Sequence, residues 1–230
     1  MEFLDAFSAP QIAVAVIATL GAAFIRGLTG FGFGILLVPI LALALSPVEA
    51  VLAINIMAGG LAFTEIRMIL REAEKSAYII GALVILATAP GLMLLAVTPQ
   101  DFARLVIAMI ALSAFFAILL PRRGAQQPGS VTTGAVGVSA GLLTGFAAMP
   151  GPPVAPYYVG RDIPRMTAKA SMIGIFGVAA IAGVGSGAAI GVLEGRVVVL
   201  GVSLFPLVLF GNLAGSLAFG KVSDPVWRGC

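Results

Sequence analysis

The 230-residue chain contains no histidine, and Asp, Glu, Lys and Arg together make up only 10% of it. Without imidazole there is no His-ligated metal site and no Ser-His or Cys-His nucleophile pair. The single cysteine, Cys230, excludes an internal disulfide. A typical soluble domain has about 25% charged residues, so this chain has too few to cover a soluble surface.

Long apolar runs predict a polytopic, all-α membrane protein. Hydrophobic residues make up 60% of the sequence, and a helix needs roughly 20 of them to cross a bilayer. The apolar run 11–25 has only 15 residues, and we expect it to be too short to cross alone. Charge-poor segments that qualify as membrane-spanning helices lie at 47–66, 76–97, 102–120, 131–149, 166–193 and 197–220.

The sequence also repeats itself. Thr29-Gly30-Phe31 recurs as Thr144-Gly145-Phe146 at an offset of 115, and two later prolines match at an offset of 117. Gly91 through Arg104 then pairs loosely with Gly215 through Arg228 at an offset of 124. Three matches in one order, on one hydropathy profile, predict a duplicated unit.

We divide the chain into two repeats joined by a polar linker at 121–129. Repeat 1 covers 1–120 and opens with a glycine-rich broken element at 11–45. Repeat 2 covers 130–230 and opens with a broken element at 131–160. It has no counterpart of the helix at 102–120, because the sequence stops at Cys230. Either the protein lacks this final helix or the sequence is truncated.

The basic residues distinguish two topologies, because cytoplasmic loops collect Lys and Arg. If each broken element crosses the membrane once, six basic residues lie on each side. If each is re-entrant, ten lie on one side and only Arg104 and Arg196 on the other, with Arg26 not counted. The second arrangement places the N-terminus outside, the linker in the cytoplasm, and the two halves as inverted repeats. That architecture is typical of secondary transporters, which bind substrate at the repeat interface.

The segment Gly27–Gly34 is the main candidate for a binding site. Glycine permits a tight turn, and the helix that follows would present N–H groups and partial positive charge to an anion. Irregular backbone at membrane depth is tolerated where it lines a cavity. Helix packing through small residues is the alternative, since GxxxG pairs begin at Gly30, Gly141 and Gly211.

Arg26 lies between two apolar arms, which places it at the predicted turn. A charge within a membrane usually faces a cavity or a partner, and a guanidinium matches the oxygens of a carboxylate, sulfonate or phosphate. Alternatively, Arg26 reaches the cytoplasmic interface or pairs with an acid such as Glu65. Repeat 2 has Gly141 at the matching position.

Repeat 2 and the apolar spans supply further candidates. The segment Thr144–Pro153, whose prolines break a helix, should form an opposing tip, or else only a proline-rich turn. Asn55 and Asn212 either touch substrate or bond another helix, and Lys169 either binds or snorkels. The full set of candidate substrate-binding residues is Arg26, Gly27, Thr29, Gly30, Gly32, Gly34, Asn55, Thr144, Gly145, Met149, Gly151, Lys169, Ser171 and Asn212.

Gly27–Gly34 leading into Val38-Pro39, with a weaker copy at Leu143–Pro156, resembles the sulfite exporter TauE/SafE family of membrane permeases. The resemblance implies a small plasma-membrane transporter, built by duplication, for sulfur-containing anions such as sulfite, sulfonates or thiosulfate. Repeat 2 departs from the family pattern, because it has Ala147-Ala148-Met149-Pro150 where the family usually has further glycines.

We therefore expect a secondary transporter of a small anion, not an enzyme, that uses no cofactor and alternates access around a mid-membrane site. No Walker-type motif is present, so the expected energy source is a proton or ion gradient, and Glu65 is the acid close to a span that could carry a proton. Membrane lipid is an expected partner and nucleic acid is not, while a homo-oligomer stays open. The alternative is an assembly factor or an intramembrane enzyme with Lys169 near Ser171.

Overall fold

A computed structural model describes residues 8–29, 32–119, 128–159 and 161–219. These residues form ten α-helices and no strand, which confirms the all-α prediction. The helices are α1 (Ala9–Thr29), α2 (Phe33–Ala44), α3 (Pro47–Thr64), α4 (Ile66–Glu72), α5 (Lys75–Val97), α6 (Gln100–Leu119), α7 (Ser130–Ala147), α8 (Gly151–Val159), α9 (Arg165–Ala189) and α10 (Gly195–Phe219).

Six of the described helices are long and apolar enough to cross a membrane, namely α1, α3, α5, α7, α9 and α10. Large apolar side chains such as Ile17, Leu86 and Phe210 remain exposed on their outer surfaces. In water such surfaces would be unfavourable, whereas lipid tails solvate them. The chain is a multi-pass membrane protein.

Helix α1 corrects the expectation that 11–25 is too short to cross. It runs unbroken for 21 residues, through Arg26 and Gly27. The Arg26 charge does not end the helix because its guanidinium is bonded to Glu65 and Asn212. Gly27 is helical as well and lies against the α10 backbone. Both residues therefore belong to the last turns of α1 and not to the predicted turn.

Each predicted broken element is a pair of helices whose outer ends lie together. Gln11 Nε2, near the start of α1, donates to Ala44 O at the end of α2 at 2.6 Å. The Thr133 and Tyr157 hydroxyl groups, near the start of α7 and the end of α8, are 2.9 Å apart. We call Gly32 together with the first turn of α2 the first tip, and residues 148–150, between α7 and α8, the second tip.

The prolines of repeat 2 do not prevent a second helix after the second tip. Pro152 and Pro153 fall in the first turn of α8, where a helix does not use backbone N–H groups. The helix begins immediately at Gly151 and also includes Pro156. The prediction that these prolines break a helix holds only for the short gap at 148–150.

The two tips contact each other. Gly34, in the first turn of α2, lies against the Ala148 carbonyl so closely that a Cβ atom at residue 34 would overlap it. The start of α2 and the end of α7 are thus in direct backbone contact.

Helix α1 packs along α10, and α7 packs along α5. Glycine permits these close approaches: Gly141 and Gly145 lie against α5, and Gly211 and Gly215 lie against α1. The packing interpretation of these two GxxxG pairs is confirmed. Helices α3 and α9 pack against each other between the two pairs.

Ion pairs join helices at the two ends of the bundle. At the first end, where α3 and α10 begin, Arg196 lies 2.9 Å from Glu49. At the second end, where α5 begins, Glu74 pairs with Arg161, which follows α8. Each end therefore has its own charged connection between helices.

Candidate functional site

A cavity of about 60 Å³ lies where the two tips meet helices α3 and α9. Its walls are the first tip (32–35), the second tip with the start of α8 (148–151), positions 54–62 of α3 and positions 173–180 of α9. Arg26 is the charged residue among these lining residues, and the other side chains are mostly apolar. An anion in this cavity would therefore have a single cation to face.

Arg26 is held at the cavity by two partners from distant parts of the chain. Its Nη1 donates to Asn212 Oδ1 of α10 at 2.8 Å, and its Nη2 donates to Glu65 Oε2 at 3.0 Å. The side chains of Arg26 and Glu65 are 11% and 24% exposed. The alternative that Arg26 pairs with Glu65 is thus realised, and Arg26 nevertheless lines the cavity.

The start of α2 supplies backbone donors to the same cavity. Gly32 has a φ of 92° and precedes the helix, a left-handed conformation that glycine adopts without steric cost. The N–H groups of Phe33, Gly34 and Ile35 come before the first helical bond, Leu36 N to Gly32 O at 3.1 Å, so the helix offers them no carbonyl partner. The partial positive charge of the helix start favours an anion here.

Asn55 adds an amide donor without a partner. The residue is 3% exposed and lines the cavity, and its Nδ2 has no hydrogen bond among the described residues. A side chain at Gly183 would overlap the Asn55 amide, so glycine permits α9 to approach at this point. Buried polar groups are rarely left unpaired, and a ligand oxygen would satisfy this donor.

The second tip offers far fewer donors. The Ala148 and Met149 N–H groups bond Thr144 O and Leu143 O at the end of α7, at 2.9 and 3.2 Å, and Pro152 and Pro153 have no N–H group. Its contribution to the cavity is shape and carbonyl oxygen rather than positive charge.

The sequence-predicted candidates fall into three groups. Six line the cavity: Arg26, Gly32, Gly34, Asn55, Met149 and Gly151. Six lie away from its walls: Gly27, Thr144, Gly145, Lys169, Ser171 and Asn212. The Thr29 side chain and Gly30 lie outside the described residues.

The residues away from the walls have structural contacts of their own. The Thr144 hydroxyl donates to Ala140 O within α7 at 2.7 Å. The buried Ser171 hydroxyl accepts from Glu74 N at 3.0 Å and links α9 to the start of α5. Lys169 is exposed near the start of α9. Asn212 reaches the site only through Arg26.

Sequence reasoning missed the apolar walls. Helix α3 contributes Ile54, Ala58 and Ala62, and α9 contributes Ile173, Phe176, Gly177 and Ala180. Both sets follow helical spacing, which could have identified one face of each helix. The spacing did not identify these faces, because the other faces of the two helices are equally apolar.

These features are of the kind that a membrane transport protein needs: several helices long enough to span a membrane, and a cavity lined by one arginine, helix-start amides and a buried amide donor. Its family is shown by direct comparison. The chain belongs to the sulfite exporter TauE/SafE family, whose model matches residues 15–230, and a family of this kind indicates a permease. Neither the curated proteins nor the solved structures that were compared contain a significant match.

Proposed function

We propose that the protein is a secondary transporter of small sulfur-containing anions, such as sulfite, small sulfonates or thiosulfate, across the plasma membrane. The observation that carries the proposal is the shared cavity of Arg26, the first turn of α2 and Asn55. A guanidinium, helix-start amides and a side-chain amide are all donors, and their common acceptor would be an oxyanion.

The cavity size supports a small substrate. One water requires about 10–15 Å³ of volume measured in this way, and the cavity measures about 60 Å³. It therefore has room for about four to six water-sized groups. Sulfite has four non-hydrogen atoms, and thiosulfate and methanesulfonate have five. Apolar walls such as Phe33 and Phe176 would suit a methyl group or a sulfur atom better than a further charged group.

The proposed architecture is a pair of inverted repeats. Gly215 lies against Gly27, and Gly91 lies against Leu142. The offset of 124 relates Gly215 to Gly91, and the offset of 115 relates Gly27 to Leu142, so the first contact corresponds to the second. The pairing of α1 with α10 is thus matched by that of α7 with α5. Two helix pairs with opposed tips provide the kind of repeat interface at which transporters bind substrate.

Alternating access would then use the charged connections at the two ends. Glu74–Arg161 would close the second end, and Arg196–Glu49 the first. Opening one connection while the other holds would expose the cavity to one side at a time. Ion pairs suit this role because water replaces the lost partner when an end opens.

Charge distribution supports an orientation with the second end in the cytoplasm. Arg104 and Arg196 lie at the first end, through bonds to Ala42 O and Glu49. The described basic residues near the second end are Arg67, Arg71, Lys75, Arg161, Arg165 and Lys169. By the positive-inside rule, the N-terminus would be outside and the 121–129 linker cytoplasmic.

Counterflow in proteoliposomes tests the proposal. Labelled sulfite, thiosulfate and methanesulfonate are exchanged against an internal pool, with acetate as a carboxylate comparison. We expect saturable exchange of at least one sulfur anion. The double variant Arg26→Gln/Glu65→Gln removes the cation without leaving Glu65 unpaired, and should raise the half-saturating concentration about 10–100-fold, the value of a hydrogen bond to a charged group.

The matched control is Arg67→Gln, which removes an exposed arginine from the neighbouring helix α4 and should leave exchange unchanged. Absence of exchange with every anion, from protein that elutes as a folded species, would overturn the proposal. Equal half-saturation in the double variant and the wild type would overturn the assignment of the site.

A further inference from the structure

The arginine of the cavity already has an internal anion. Glu65 Oε2 lies 3.0 Å from Arg26 Nη2, and the remaining contact, Nη1 to Asn212 Oδ1 at 2.8 Å, is neutral. Both charged side chains are largely withdrawn from solvent. In this state Arg26 and Glu65 neutralise each other, so the cavity as a whole has no excess positive charge for a substrate.

An arriving anion would place two negative groups on one guanidinium. Among the described residues that line the cavity, Arg26 carries the only charge, and the apolar walls cannot compensate a second anion. Substrate binding therefore requires the Glu65 carboxylate either to leave Arg26 or to lose its charge.

Of these two routes, loss of charge by proton uptake is the one that leaves no displaced carboxylate beside the apolar walls. Helix α10 presents the neutral amide of Asn212 to the same guanidinium, and α1 presents Arg26 alone. The other charged groups at this end of the bundle are Arg67, Arg71 and Glu72 of α4, Lys75 of α5, Arg165 and Lys169 of α9, Asp162, and the Glu74–Arg161 pair, whose two members bond each other. Those of α4, together with Lys75, Arg165 and Lys169, are exposed, where water screens them.

We propose that Glu65 is a proton carrier that couples anion transport to the proton gradient; this inference rests on the proposed transport function. The anion takes the place of Glu65 on Arg26, and Glu65 takes one proton from water at the second end. Anion and proton then cross together. When the anion leaves, Glu65 gives its proton to water on the other side and re-forms the pair with Arg26.

The charge balance of this cycle gives a measurable ratio. One anion and one proton move per cycle, so a monoanion crosses with no net charge. A pH difference of one unit across the membrane would then maintain an about tenfold ratio of monoanion concentration between the two sides. The reason is that one pH unit and a tenfold concentration ratio correspond to the same free energy.

The test uses the full-length chain in proteoliposomes, with methanesulfonate and thiosulfate as probes because neither changes its charge near neutral pH. Two quantities are measured for each probe: exchange at equal pH, and net accumulation driven by a pH gradient with the membrane potential clamped. An internal pH dye reports proton movement. In the wild type we expect about one proton per anion and gradient-driven accumulation.

The variant Glu65→Gln keeps an oxygen that accepts from Arg26 but cannot exchange a proton. We expect its exchange to half-saturate at a lower concentration than the wild type, since no carboxylate competes, and its gradient-driven accumulation to be lost. Glu65→Asp keeps the carboxyl group and should retain accumulation. Glu72→Gln removes an exposed carboxylate of α4 and should match the wild type in both assays.

The outcomes separate the two proposals. If the wild type exchanges neither probe nor sulfite, the transport function itself fails. If it exchanges a probe but moves no proton with it, or if Glu65→Gln still accumulates anion along the pH gradient, the coupling role of Glu65 is overturned while transport stands. If Glu65→Gln does not fold, the dye measurement on the wild type can still overturn the role of Glu65 by showing no proton movement, and Glu65→Asp then serves as the variant in which gradient-driven accumulation is compared.

Discussion

The two tips occupy matching places in the two predicted repeats but differ in their backbone chemistry. The first tip begins with Gly32 in a left-handed conformation and continues as a helix start whose residues all have N–H groups. The second tip has Ala148 in that conformation and leads into two prolines. The first tip can bind an anion through its backbone, whereas the second has almost no donors left.

The same asymmetry extends to the flanking helices. Arg26 of α1 bonds Asn212 of α10, while the matching positions, Gly141 of α7 and Thr88 of α5, lie in tight apolar packing. The predicted duplication would account for two similar shapes, and the donor groups are present in only one of them. One anion site, and not two, is the expected result.

The largest effect should come from removing the Asn55 donor. Leucine is close in size but cannot donate, so Asn55→Leu should raise the half-saturating anion concentration about 10–100-fold, as for the loss of a hydrogen bond to a charged group. Counterflow measures it. The matching position of repeat 2 is Met172, at an offset of 117, and Met172→Leu should have no effect. Equal effects of both variants would contradict a one-sided site.

A second comparison concerns the helix pairs, which should be equally intolerant of added bulk. A Cβ atom at Gly145 would overlap the backbone of α5, and one at Gly27 would overlap that of α10. We expect Gly145→Ala and Gly27→Ala each to lower stability by about 1–3 kcal/mol, measured by thermal unfolding in detergent. Gly134→Ala and Gly21→Ala, which have open space around them in the same helices, serve as controls. Loss of stability in only one half would refute equivalent packing.

A third, smaller difference should appear at the contact between the tips. Gly34→Ala would overlap the Ala148 carbonyl, whereas a Cβ atom at Gly151 would meet only Ile35 and Phe176 side-chain carbons at 3.9 Å. Gly34→Ala should therefore lower the unfolding free energy by about 1–2 kcal/mol, and Gly151→Ala should change it little. The reverse order of melting temperatures would show that the tips do not meet as described.

The smallest effects should have opposite signs at the two left-handed residues. Gly32→Ala places a Cβ atom at a φ of 92° and should cost about 1–2 kcal/mol. Ala148→Gly relieves the same strain at a φ of 48°, offset by the roughly 0.5–1 kcal/mol entropic cost of glycine. Its net effect should be a slight gain in melting temperature. Destabilisation by Ala148→Gly would mean that the alanine methyl group contributes packing that outweighs the strain.

Much of the fold could be predicted because apolar runs have a direct physical meaning in a bilayer. Length alone identified the segments that form α3, α5, α9 and α10. The end of α1 was misplaced because a lone charge, Arg26, looks like an interruption until its partner is known. Arg26 has two partners, Glu65 and Asn212, which are 39 and 186 residues away, and no local pattern links them to it. The division into inverted repeats stays a prediction, supported by the matched glycine contacts.

The candidate site was predicted in part. Glycines and one arginine in an apolar chain stand out, and Arg26, Gly32 and Gly34 do line the cavity. Ser171 and Thr144 were candidates because they lie near the predicted second tip, but each hydroxyl group has its hydrogen-bond partner in the protein itself. For Asn55 the sequence does not distinguish a contact with substrate from a hydrogen bond to another helix, because it cannot show whether the amide has a partner.

The sequence by itself determined that this chain lies in a membrane, is helical, and belongs to a family of permeases. Those properties depend on composition, on the length of apolar runs and on local motifs, all of which can be read directly along the sequence. Only the tertiary structure decided that Glu65 neutralises Arg26, that Asn55 keeps a free donor, and that one tip presents amides while the other presents a carbonyl. These facts depend on which groups come within hydrogen-bond distance, and that distance is set by helices packed from far apart in the chain.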